Sequence, residues 1–170
     1  MKLAIADPPY IGQAKKHYSN DPSGIVAEEV DHYDLLWKLR DNYDGWALCC
    51  SSPSLWQLEG IVKKLFEPNT VRTAAWIKPF CSWKPSHRVQ YTWEPVLFIP
   101  VRPRGSKSVP SVRDYVIANI TTRKGTHGAK PEPFCDWVLE LIGYQPGDTV
   151  DDLFPGSGAI TAAVERRNLK

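Results

Sequence analysis

Lys2-Leu3-Ala4-Ile5-Ala6-Asp7-Pro8-Pro9-Tyr10 is an apolar run stopped by an acid and two prolines. A run this short, bounded by turn residues, reads as a strand buried on both faces. Proline locks its own φ and biases the residue before it toward an extended conformation, so Asp7-Pro8-Pro9 ends the strand at a rigid turn. One lysine before so brief an apolar stretch makes a first strand and not a secretion signal.

Working outward, residues 11–27 lack periodicity and are rich in Gly, Asn, Asp, Pro and Ser, which predicts a mobile loop. Val30, Tyr33, Leu36, Trp37 and Leu39 have helical spacing within a helix expected from Ala27 to Tyr43. Residues 45–50 form a second buried strand, and Pro53 suits the first turn of a helix running to Phe66. Strands are expected at Val71–Ile77 and Thr92–Val101, separated by a proline-rich segment. A helix follows over Pro133–Gly143, then a strand at Thr149–Phe154, and Pro155-Gly156-Ser157-Gly158 opens a last helix. Strands alternating with helices predict one α/β domain over residues 1–170 with a mostly parallel sheet.

Composition narrows the function classes. No run of about 18 apolar residues exists to span a membrane. Cys49, Cys50, Cys81 and Cys135 form no C-x-x-C pair and no His-Cys metal spacing, so no metal is expected and the compartment is a reducing, cytoplasmic one. Charge is uneven. Residues 1–68 hold 7 basic and 10 acidic groups, residues 69–130 hold 11 basic groups against Glu94 and Asp114 alone, and residues 131–170 hold 3 basic and 7 acidic groups. A basic middle predicts a polyanion-binding face in two loop excursions, 78–91 and 102–129. The candidates are Lys84, Arg88, Arg102, Arg104, Lys107, Arg113, Arg123 and Lys124, with Phe80, Trp83 and Tyr91 interleaved. Cations suit phosphates and aromatic faces suit unstacked bases.

Two motifs carry chemistry. Asp7-Pro8-Pro9-Tyr10 follows a buried strand, placing it at the carboxyl edge where open α/β sheets bind ligands. An aromatic amine is a poor nucleophile because its lone pair is delocalised into the ring. Asp7 and the Pro8 carbonyl can each accept one amino hydrogen, and the prolines stiffen that arrangement. Tyr10 adds a flat face for an extruded base. The second motif, Asp152-Leu153-Phe154-Pro155-Gly156-Ser157-Gly158, places glycines between a strand and a helix, so the backbone can approach a ligand at the helix N-terminus. It is neither G-x-G-x-x-G nor a phosphate loop.

The motif pair resembles the amino-group (N6-adenine and N4-cytosine) DNA methyltransferases, small phage- or bacterial-type enzymes included. Their catalytic motif is D/S/N-P-P-Y/F/W and their cofactor motif D-P-F-x-G-S-G. Catalytic motif first and cofactor motif last is the permuted order of the family's beta group. Lys130-Pro131-Glu132-Pro133-Phe134 is similar to that group's Lys-Pro segment before the cofactor strand, and Trp93-Glu94-Pro95-Val96-Leu97-Phe98 to its strand that follows a glutamate. The resemblance implies a Rossmann-like fold with S-adenosyl-L-methionine as cofactor and DNA as partner, an RNA substrate remaining an alternative. It assigns catalysis to Asp7, Pro8, Pro9 and Tyr10, and cofactor binding to Asp7, Lys130, Phe134, Asp152, Phe154, Gly156, Ser157 and Gly158. An Asp at the first position leans toward adenine N6 and a Ser toward cytosine N4.

Two departures accompany it. Leu153 replaces the usual proline. The family continues past the final helix to a strand whose acid holds the cofactor ribose, and the sequence here ends at Lys170. The expected sheet therefore lacks the last strands of the usual one, and Glu165, within the helix, does not match the ribose acid. A catalytically silent nucleic-acid-binding relict of the same fold is the alternative of another class. The cytoplasm implied is the host's if the enzyme is phage-encoded.

Overall fold

Buried strands and one-sided helices assemble into three layers, with a sheet between two helix pairs. The computed structural model describes residues 1–12, 29–81, 83–102, 110–121 and 129–169. Among them, six strands form one sheet: β1 (Lys2–Ala6), β2 (Gly45–Cys49), β3 (Arg72–Ile77), β4 (Trp93–Ile99), β5 (Tyr115–Ile117) and β6 (Thr149–Asp152), in the order β5-β3-β4-β2-β1-β6. The helices are α1 (His32–Asn42), α2 (Leu55–Leu65), α3 (Glu132–Leu141) and α4 (Ala159–Asn168). β1 pairs in parallel with β2 and β6, as β3 does with β5, while β4 runs antiparallel to both its neighbours. The mostly parallel sheet thus forms as expected. β4 is reversed because the chain returns from β3 without a helix among the described residues, and a parallel partner needs a long crossover.

Alternation along the strands divides the core between two faces. Leu3 and Ile5 of β1 join Ala47, Val96 and Phe98 beneath α3 and α4, whereas Ala4 and Ala6 join Trp46, Leu48 and Leu97 beneath α1 and α2. Leu36 and Leu39 of α1 are fully buried, each contributing about 2 kcal/mol. Covering both faces is why β1 and β2 read as unbroken apolar runs.

Two regions differ from expectation. α1 begins at His32, not near Ala27, because the Asp31 carboxylate caps it by accepting from the backbone N–H groups of Tyr33 and Asp34 at 2.8 and 3.1 Å. Residues 13–28, which hold most of the expected loop, lie outside the described residues. The expected 102–129 excursion contains the edge strand β5. Two indole N–H groups secure its flanks, Trp76 donating to the Ala118 carbonyl at 2.8 Å and Trp137 to that of Arg113 at 2.9 Å.

Among the described residues β6 borders the sheet. At the amino edge, Asp148 receives Arg102 through two hydrogen bonds of 2.7 and 3.0 Å, the Met1 ammonium at 3.0 Å and the Gln145 N–H at 2.9 Å. Arg102 also donates to the Gly143 carbonyl at 2.7 Å. Gly143, at φ +77°, ends α3 with the Tyr144 N–H reaching back to Leu139 at 2.9 Å. The Arg102 guanidinium, expected among the phosphate contacts, is thus engaged by Asp148 and the Gly143 carbonyl.

Candidate active site

Parallel pairing of β1 with β6 brings the two motifs together. Ile5 pairs with Asp152, and the Leu153 N–H donates to the Ile5 carbonyl at 3.0 Å, so both strands reach the carboxyl edge side by side. Pro8 and Pro9 are buried, which fixes the turn, while Asp7 and Tyr10 keep partial exposure.

A network of buried charge surrounds them. Lys130, just ahead of α3, places Nζ 2.5 Å from Asp7 Oδ2 across 123 residues of sequence. Its side chain is 10% exposed, and the rings of Tyr10, Trp76 and Phe134 lie within 6 Å of its ammonium. Glu94 accepts from the Tyr10 hydroxyl and from the Lys78 ammonium, each at 2.6 Å. Burial raises the Asp7 carboxyl above its usual range despite the attraction of Lys130. Burial also works against the Lys130 ammonium, but Asp7, Cys49 and Glu94 outweigh it and the pKa rises. For Glu94, the ammoniums of Lys130 and Lys78 overcome burial and keep the carboxylate ionised. Burial first, and then Glu94 and Asp7, push the Tyr10 phenol far upward, so it remains a hydroxyl donor.

The glycine loop differs in character. Asp152 Oδ2 is buried with no hydrogen-bond partner among the described residues, and burial raises the pKa of its carboxyl. Gly156 and Gly158 have φ of +45° and +73°, conformations that other residues adopt at a cost. Gly158 occupies the N-cap position of α4 without a side-chain cap, so the first N–H groups of the helix are left for a ligand or solvent. A Cβ built on Gly158 meets nothing within 4 Å. An orphaned carboxylate oxygen, an uncapped helix start and open space above the glycine together fit a polar ligand that brings hydrogen-bond donors and a carboxylate.

The expected site residues thus separate. Asp7, Pro8, Pro9, Tyr10, Lys130, Asp152, Phe154, Gly156, Ser157 and Gly158 belong to one edge. Phe134 is 1% exposed, packs against Trp76 at 5.0 Å and Trp137 at 5.8 Å, and has the Lys130 ammonium 5.9 Å from its ring centroid. Lys84 and Arg88 are exposed between β3 and β4 at this same edge. Arg113 precedes β5 toward the other edge, beside Tyr115. Arg104, Lys107, Arg123 and Lys124 lie outside the described residues. Sequence reasoning missed Glu94 and Lys78 as members of the site. The available signal was an acid opening an apolar strand in a region with only one other acid.

No helix among the described residues is long and apolar enough to cross a membrane, and no cluster of metal-ligating side chains forms among them. No family model and no curated sequence matches the chain. Solved structures do match. The M1.HpyAVI–SAM complex aligns over 97% of this chain and 78% of its own, at 16% identity and TM-score 0.64. The PvuII DNA methyltransferase (cytosine-N4-specific) aligns over 98% and 72%, at 17% identity and TM-score 0.65. A second M1.HpyAVI structure aligns over 98% and 76%, at 16% identity and TM-score 0.58. The chain has the Rossmann-like α/β fold of these methyltransferase structures, with its proline-containing turn and its glycine loop on neighbouring strands.

Proposed function

We propose that the chain is an S-adenosylmethionine-dependent DNA methyltransferase of the amino-group family, a single cytoplasmic domain that modifies adenine N6. One observation carries this reading: a turn suited to holding an aromatic amine stands beside a glycine loop whose buried Asp152 oxygen lacks a partner among the described residues. The matches to an M1.HpyAVI–SAM complex and to a DNA methyltransferase support it.

Asp152, Phe154, Gly156, Ser157 and Gly158 would hold the cofactor, with Lys130 and Asp7 at its reactive side. When bound, S-adenosylmethionine supplies an electrophilic methyl group. The protein's part is to make the amine nucleophilic and to aim it. A carboxylate has about four acceptor sites, so Asp7, oriented by Lys130, retains the capacity to accept an amino N–H. The Pro8 carbonyl takes the second hydrogen, drawing the lone pair out of conjugation. The amine gives up one proton on methylation, and Asp7, its pKa raised by burial, is the adjacent acceptor. Tyr10, fixed through its hydroxyl by Glu94, presents its ring to the extruded base.

Cytosine N4 is the second reading, favoured by the match to the cytosine-N4-specific PvuII enzyme; its exocyclic amine meets the same acceptors. The test is tritiated methyl transfer to DNA, RNA and protein, followed by nucleoside digestion and mass spectrometry of the DNA. N6-methyldeoxyadenosine is expected. N4-methyldeoxycytidine would transfer the assignment to the second reading, and absence of label in every substrate would overturn both.

A further inference from the structure

The return from β3 to β4 carries a surface that the transfer chemistry does not use. Phe80 and Trp83 are 57% and 74% exposed, and Tyr91 and Trp93 are also exposed. Residues 83–93 include Lys84, Arg88 and His87 but no acid. The segment is built and braced. The Gln90 side chain accepts from the Lys84 N–H at 2.9 Å and donates to the carbonyls of Lys84 and His87 at 3.0 and 2.5 Å. The His87 ring meets Tyr91 edge-on at 5.4 Å, and the Lys84 ammonium lies 5.5 Å from the Tyr91 centroid. Farther back, Lys78 donates to Glu94, which binds Tyr10, so the surface adjoins the turn that would receive a base.

Exposed ring faces beside cations match one arrangement of nucleic acid better than another. In a duplex the base faces are covered by stacking, and a reader needs polar side chains projected into a groove. In an unpaired strand the faces are open, and aromatic rings replace the stacking while cations follow the phosphates. Accepting the methyltransferase reading above, on which this rests, we propose that Phe80 and residues 83–93 form a platform for an unpaired DNA strand, so that the protein takes its target base from single-stranded or locally melted DNA in preference to an intact duplex.

Fluorescence anisotropy with the full chain and a labelled 20-nucleotide DNA strand, its duplex, and the RNA strand of the same sequence tests this. The DNA strand is expected to bind at least tenfold more tightly than the duplex, and more tightly than the RNA. Trp83→Ala should weaken strand binding tenfold or more while changing duplex binding less than twofold, and Trp83→Phe should restore most of it. Circular dichroism of the variants checks the fold. A strand preference under tenfold, tighter binding of RNA, or a Trp83→Ala variant that binds the strand normally would overturn the proposal. Binding is read without transfer, so a platform that fails while methylation persists sinks this inference alone. Strand binding without any methylation sinks the catalytic reading.

Discussion

The two edges of the sheet each hold a charged cluster, and the clusters are built on opposite principles. At the amino edge, Asp148 is 5% exposed and surrounded by donors from Arg102, the N-terminus and Gln145. Burial alone would raise its pKa, but these partners bring it down to about 2. At the carboxyl edge, burial prevails over Lys130 in setting the Asp7 pKa, and Asp152 retains an oxygen with no partner among the described residues. A saturated cluster has little more to bind and serves stability. An unsaturated one holds polar capacity in reserve, which a fold tolerates where a ligand completes it. Arg102, a basic residue in a basic segment, belongs to the saturated cluster.

The largest expected effect breaks the reactive edge. Asp7→Ala should lower methyl transfer about a thousandfold, or about 4 kcal/mol on the barrier. It should also destabilise the fold by roughly 3 kcal/mol, because the buried Lys130 ammonium loses its hydrogen-bonded partner. Turnover per folded molecule, with urea titration for stability, separates the two losses; retention of more than a tenth of wild-type turnover would contradict the assignment.

Next in size is the amino edge, where the effect should be on stability alone. Asp148→Asn should cost roughly 2 kcal/mol at neutral pH, the value of moving a carboxyl from 3.8 to about 2. The sign follows from the depressed folded pKa: this stabilisation is present above the unfolded value and is lost as pH falls from 3.8 toward 2. Urea midpoints for wild type and variant should therefore converge toward pH 2 while transfer per folded molecule is unchanged; a lasting gap would assign the loss to something other than charge.

The smallest change sharpens the comparison at the glycine loop. Gly158→Ala should destabilise by about 1 kcal/mol through its φ of +73°, since its Cβ meets no protein atom. Affinity for S-adenosylhomocysteine should nevertheless fall at least tenfold by titration calorimetry, because the methyl enters space assigned to the ligand. Equal losses in stability and affinity would mean that the loop is merely strained.

Local signals were enough for much of this. The apolar run of Leu3–Ala6, the prolines after it and the glycines before α4 each impose a backbone state through sterics, and each was legible without a neighbour. β5 was not legible, because three half-exposed residues carry no periodicity and are held by indole groups from β3 and α3. The start of α1 depended on Asp31, whose capping role the helical spacing alone did not separate from the residues before it.

By itself the sequence determined the α/β class, both motif turns and their order along the chain, since these rest on burial period and on backbone sterics within a few residues. Only the tertiary structure decided which charges meet. Lys130 reaches Asp7, Lys78 and Tyr10 share Glu94, and Arg102 turns to Asp148, each pairing joining residues that sequence separation keeps apart. The physical reason is that Coulombic and hydrogen-bond partners act over a few ångströms of space, and that distance is set by strand order, which no local pattern encodes.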